Sequence, residues 1–272
     1  RGSRRIGAPN GEFRGPVRCL APTRGSGLRA SRLDVPAVFT PARSTAPPCP
    51  GLRPLLQTDT RVRAQVEMER TFGGEAEDWF TDLAAIDGGF LLVGTTYSTE
   101  GGQFAGWLLT ATSEGDEVAS QRIGQENDQV FSAVHVLADG RAIAAGYSRG
   151  EQSAPNVAWA VLVDTDRKVE WSRRFNARYL YGATSLVGGG MAVVGVGNSG
   201  ERRSAGWVAA IDDGGSTLWE AQIDDEYGDA VYAVAPRHGG GVVVAAIHPV
   251  DQSTTGPAVI AYDADGAFLW EH

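Results

Sequence analysis

A chain of 272 residues with a net charge of −9 is long enough to bury a substantial core in one or two domains. The charge is divided: residues 1–70 hold thirteen arginines against five acidic groups, and residues 71–272 hold eleven basic against twenty-eight acidic groups. An acidic body excludes a phosphate-backbone partner, which needs a basic face, and no apolar run reaches the length of a membrane span.

The leader holds both cysteines, Cys19 and Cys49, and the proline-rich stretch "STAPPCPGLRP". Without a periodic apolar run it cannot offset the entropy of ordering, so disorder is expected over residues 1–61 and a folded domain over 62–272. It lacks the apolar stretch of a signal peptide, and the pairs Gly2-Ser3 and Glu12-Phe13 are those that two common cloning sites encode, so part of it reads as a cloning remnant. Two cysteines thirty residues apart make neither a disulfide framework nor a metal site.

From residue 66 the chain repeats itself. "VEMERTF" (Val66–Phe72) matches "VEWSRRF" (Val169–Phe175) and reads as an outermost strand. Four units follow, ending in "GWLLTATSEGDEVAS", "AWAVLVDTDRKVEWSRRF", "GWVAAIDDGGSTLWEAQI" and "PAVIAYDADGAFLWEH". Three columns align. The first is Trp107, Trp159, Trp207 and Ala258; five residues on come Thr112, Asp164, Asp212 and Asp263; seven further come Ala119, Trp171, Trp219 and Trp270. Spacings of 52, 48 and 51 residues between units fix the period. Upstream lie the glycine-opened runs Asp87–Ser98, Asp139–Ser148, Gly188–Ser199 and Gly239–Pro249, and before those apolar runs such as Ser132–Ala138 and Ala230–Ala235.

Each unit is thus four short runs rich in Val, Ala, Leu and aromatics, cut by Gly and Asp turns and without helical period. Four strands every fifty residues predict an all-β propeller of four antiparallel blades. Asp-x-x-Gly makes the hairpin turn, and the Trp after it supplies a flat surface between blades. Four blades is the lower limit for a ring. Val66–Phe72 could complete the last blade, two chains could pair into a larger ring, or the chain could be a fragment of a longer propeller.

The segments Ala210-x-Asp212-x-x-Gly-x-x-x-Trp219 and Ala261-x-Asp263-x-x-Gly266-x-x-x-Trp270 resemble a one-residue-shorter tryptophan-docking motif of the quinoprotein-like propellers. The Gly-Gly-x-hydrophobic-Gly-x-x-Ser pattern is similar to bacterial secreted propeller repeats. The resemblance covers residues 66–272 and implies a fold, together with a secreted or periplasmic location. It carries over no quinone- or calcium-binding residue, so a quinone-dependent redox role rests on fold analogy alone.

Exclusions narrow the chemistry. A single lysine, Lys168, leaves no phosphate-cradling loop and no Schiff-base site, and neither a Gly-x-Ser-x-Gly elbow nor a His-Glu-x-x-His helix occurs. In a four-stranded blade, the start of the innermost strand and the end of the second converge on one mouth. That mouth would gather Glu75, Glu77 and Asp78; Glu126, Asn127 and Asp128; Asn176, Arg178 and Tyr179; and Asp224, Asp225, Glu226 and Asp229, with Thr96, Ser148, Gly197 and His248 from the second strands.

Carboxylates with one Asn and one His could hold Ca²⁺ or another divalent cation, with Asp78, Asp128, Asp229 and His248 as ligands. Such an ion would polarise an ester, lactone or phosphotriester, with Asp229 and His248 at the reacting centre. The competing reading makes the acids turn formers and solubilising charge. His135 falls on an innermost strand, His238 on an opposite-face turn, and "DADG" (Asp263–Gly266) is explained by its hairpin. The leading expectation is a non-catalytic recognition or scaffold module of secreted or envelope type. It would take a protein or small-molecule ligand at the loop face and could form a homodimer; the metal-assisted hydrolase is the alternative.

Overall fold

The computed structural model describes residues 68–98, 103–124, 128–150, 154–199, 203–223, 230–249 and 254–272. The expected leader, residues 1–61, lies outside the described residues. Sixteen strands form four antiparallel sheets, each a meander in chain order. The first sheet is β1 (Asp78–Ile86), β2 (Gly89–Thr96), β3 (Ala105–Thr112) and β4 (Glu117–Ile123). The second is β5 (Gln129–Val136), β6 (Ala142–Ser148), β7 (Val157–Val163) and β8 (Val169–Arg174). β9 (Ala177–Ser185), β10 (Met191–Ser199), β11 (Arg203–Ile211) and β12 (Thr217–Ile223) make the third. β13 (Ala230–Pro236), β14 (Val242–Pro249), β15 (Thr255–Tyr262) and β16 (Phe268–Glu271) make the fourth. The expected four-bladed, propeller-like repeat is therefore present. Among the described residues no helix is long and apolar enough to cross a membrane.

The aspartate column does what its chemistry dictates. Asp164, Asp212 and Asp263 each accept from the amide four residues on, at 2.8 Å. The turn residue that follows adopts positive φ: 79° at Gly115 and Gly215, 83° at Gly266. In the second sheet this place falls to Arg167 at φ 67°, a conformation that costs a side chain about 1 kcal/mol.

Sheets pack face to face in sequence, since none can bury its own surface. Leu91, Val93 and Leu108 of the first meet Phe131, Val134 and Trp159 of the second. Ile143, Ala145 and Leu162 then meet Leu180, Met191 and Trp207 of the third. Ala192, Val194 and Val208 meet Val231, Val244 and Ile260 of the fourth. Polar links pin the innermost strands: Asp82 accepts from the Val134 amide at 2.9 Å, the Thr81 hydroxyl donates to the Phe131 carbonyl at 2.7 Å, and His135 Nε2 lies 3.1 Å from Ser185 Oγ.

Two tryptophan columns have different tasks. Trp107 and Trp159, on third strands, stack on Phe80 and Phe131 of the innermost strands at 4.4 and 4.8 Å, across the side-chain-free Gly94 and Gly146. Their indole nitrogens donate to Ser120 and Ser172. Trp207 has no such acceptor, because Glu220 takes the serine place. The outer column joins sheets: Trp171 Nε1 donates to the Asp213 carbonyl at 2.8 Å, and Trp219 Nε1 to the Ala264 carbonyl at 2.9 Å, each in the next sheet's turn.

The ring-closing option fails on one point. β16 already fills the outermost place of the fourth sheet, paired to β15, so residues 68–72 do not complete it. They lie instead over the first sheet: a Cβ on Gly115 would meet Met68 Sδ at 2.6 Å, just as one on Gly266 would meet the Trp219 ring at 2.6 Å. Met68 thus occupies the first sheet's version of the tryptophan slot. Among the described residues no substantial contact joins the fourth sheet back to the first, and the four sheets do not close into a ring.

Candidate functional site

The ladders fix where the expected mouth residues fall. Asp78 opens β1 opposite Thr96, whereas Gln129, not Asp128, pairs with Ser148. Asp78 and Asp128 are therefore offset by one position between sheets. Ala230 pairs with Ile247 and His248 with Gly256; Asp229 lies outside the described residues, as do Glu126, Asn127, Asp224, Asp225 and Glu226.

Asp78 is heavily engaged. Its carboxylate accepts from the Thr96 hydroxyl, from the Gly74 amide at 2.7 Å, from the Ser98 hydroxyl at 3.0 Å and from the Tyr97 amide at 3.2 Å. Gly73 and Gly74 leave the room: a Cβ on Gly73 would meet the carboxylate at 2.6 Å. Burial pushes the Asp78 carboxyl up, but the bonds from Thr96, Gly74 and Ser98 outweigh it and hold the group below the ordinary aspartate range.

A carboxyl depressed in the folded state contributes stability above its unfolded value, near 3.9, which is lost as pH falls through the folded value. Thermal melts between about pH 5 and pH 2 should therefore show a steeper loss for the unaltered chain than for Asp78→Asn. Equal slopes would show that the carboxylate does not anchor this loop.

Asp128 is also occupied. It accepts from the Phe104 amide at 2.9 Å and from Arg149 Nη1 at 2.7 Å, tying the first sheet's loop to the second sheet. Glu75 and Glu77 are exposed. Among the described residues, no three His, Cys, Asp or Glu side chains gather into a metal-binding group.

Of the aromatics gathered in the structure, the sequence pointed to Tyr179 alone as a mouth residue. Tyr147, Tyr179, Tyr181 and Tyr232, from three sheets, form a ladder with centroid spacings of 5.0, 6.0 and 5.3 Å; the last two pairs are parallel within 8°. Arg178 lies 5.7 Å from the Tyr179 ring, and Asn156 donates to the Tyr179 hydroxyl at 3.0 Å. A second group joins Trp79 and Tyr97 to Phe104, with Arg149 6.0 Å from the Phe104 ring. Burial pushes the Tyr147 and Tyr181 phenols up, so they remain hydrogen-bond donors at neutral pH. Flat rings bearing hydroxyls, flanked by guanidinium groups, suit stacking and hydrogen bonding rather than nucleophilic chemistry. The alternation Tyr179-Leu180-Tyr181 was the one local signal for this strip.

His135 is half-buried against Ser185, and burial pushes its pKa down. It serves as a link between sheets. Compared with known proteins, the chain matches no family model and no curated protein, so its reading rests on the repeat geometry.

Proposed function

We propose that the chain is a non-catalytic recognition or scaffold module, of secreted or envelope type, whose partner surface is the open face of the fourth sheet and whose first partner is a second copy of itself. The observation that supports this reading is a broken pattern. Ile143, Ala145, Ala160 and Leu162 of the second sheet are buried under the third. In the fourth sheet the same face carries Ile247 and Val259, each 40% exposed, and Trp270, 39% exposed. Exposed apolar side chains gathered on one sheet face mark an interaction surface. Trp270 repeats the column of Trp171 and Trp219, so a similar sheet is the surface it suits.

The metal-assisted hydrolase draws less support, because Asp78 and Asp128 spend their oxygens on loop amides, hydroxyls and Arg149. Sedimentation measurements test the proposal: mass should rise with concentration for the unaltered chain, and Val259→Glu should hold it at the monomer. A chain that stays monomeric at every concentration, yet hydrolyses an ester or phosphotriester in a chelator-sensitive way, would replace this reading with the hydrolase.

A further inference from the structure

Three turns accept a large side chain from the segment that precedes their sheet, and the fourth is built differently. Met68 sits on Gly115, Trp171 on Gly215 and Trp219 on Gly266. At the junction of the first and second sheets the pair is Ala119 and Arg167. The large residue has become the smallest chiral one, and the glycine has become an arginine held at φ 67°.

At this junction a half-open cleft of about 840 Å³ lies between the two sheets, walled by Ile86, Thr110, Ala119, Val136, Leu137 and Arg167. Its volume lies in the range of small-molecule sites. Arg167 Nη1 donates to the Gly140 carbonyl at 3.2 Å, while its Nε is buried with no acceptor. Three aspartates stand at the rim; Asp139 is bound to Arg141 at 2.7 Å and Asp166 lies 3.9 Å from Lys168. Asp164 acts on the Arg167 charge from a distance, but among the described residues no carboxylate forms a close ion pair with the guanidinium.

We propose that this slot binds a small planar aromatic carboxylate: an indole-sized ring in the place vacated by tryptophan, with its carboxylate on Arg167. The ring assignment rests on the equivalent slots, where indoles lie against the turn and donate to Asp213 and Ala264 carbonyls; the matching carbonyl here is that of Thr165. The charge assignment rests on the guanidinium, whose planar donors match a carboxylate. A surface seam that merely tolerates a gap would be expected to keep the glycine rather than a strained arginine.

The test is calorimetric titration of indole-3-acetate, with tryptamine and cyclohexaneacetate as controls for charge and ring. Saturable binding of indole-3-acetate is expected, weakened about tenfold or more in Ala119→Trp, whose own indole fills the slot, and similarly in Arg167→Gly. The double variant Ala119→Trp with Arg167→Gly restores the pairing of the neighbouring junctions, so it should melt no lower than the unaltered chain while binding nothing. No saturable binding up to about 10 mM overturns the proposal. So does binding that survives Ala119→Trp, or tryptamine binding as tightly as indole-3-acetate.

Discussion

Trp207→Ala is expected to lower stability by about 3–5 kcal/mol, the usual cost of emptying a fully buried aromatic site. The side chain is 0% exposed and packs among Met191, Ile143 and Leu162 at the junction of the second and third sheets. In a domain of about 200 residues this lowers Tm by about 10 °C. Phenylalanine separates ring packing from the indole nitrogen. Trp207 Nε1 is buried without an acceptor, so Trp207→Phe removes an unsatisfied donor and loses only ring volume. Trp159→Phe breaks the bond to Ser172 at 2.7 Å and should cost about 1 kcal/mol more. Chemical denaturation of the two phenylalanine variants checks the difference, and equal costs would refute the account of the indole bonds.

Gly146→Ala should be comparably damaging for a different reason. Its Cβ would stand 1.9 Å from the Val130 carbonyl oxygen and 2.9 Å from Phe131 Cα, both backbone. Gly94 and Gly195 meet the same obstacle, from Trp79 and Tyr179, at 2.0 and 1.9 Å. All three lie at or next to a register shift of the innermost strand, where the bulge brings the neighbouring backbone over the glycine. An alanine must push that strand away and open the Phe131–Trp159 stack, at about 3 kcal/mol or more. The fourth sheet carries Ala246 here, and its neighbours are Val231 and Ala258 rather than two rings. Gly88→Ala is the control: φ is 78° and nothing lies within 4 Å, so only the backbone penalty of about 1 kcal/mol remains. Urea unfolding of both variants measures the contrast; similar losses would remove the steric explanation.

The repeat was legible because single residues do single jobs in it. An aspartate that caps its own turn, or a tryptophan that spans to the next one, leaves the same letter at the same offset in every unit. Ala119 was visible as the exception in its column. That Arg167 is the other half of the same change was not, because the two residues belong to different sheets. Of the mouth, only the strand starts were legible. Asp78 opens β1 and Asp128 directly precedes β5, yet each answers to its own loop: Asp78 to Gly74 and Ser98, Asp128 to Phe104 and Arg149. Their one-position offset is a matter of ladder register, to which the run of acids in the sequence is blind. The tyrosine ladder was largely hidden because Tyr147, Tyr179 with Tyr181, and Tyr232 come from three sheets, so the alternation of Tyr179 and Tyr181 shows only its middle.

Indole N–H exchange, followed by NMR with each tryptophan assigned, tests the stacking of sheets most directly. Trp171 and Trp219 donate to carbonyls of the next sheet, whereas Trp270 is exposed on the open face. In the monomer the first two protons should exchange slowly and that of Trp270 at the rate of free indole. Fast exchange at Trp171 and Trp219, or protection at all three alike, would contradict the arrangement of sheets described above.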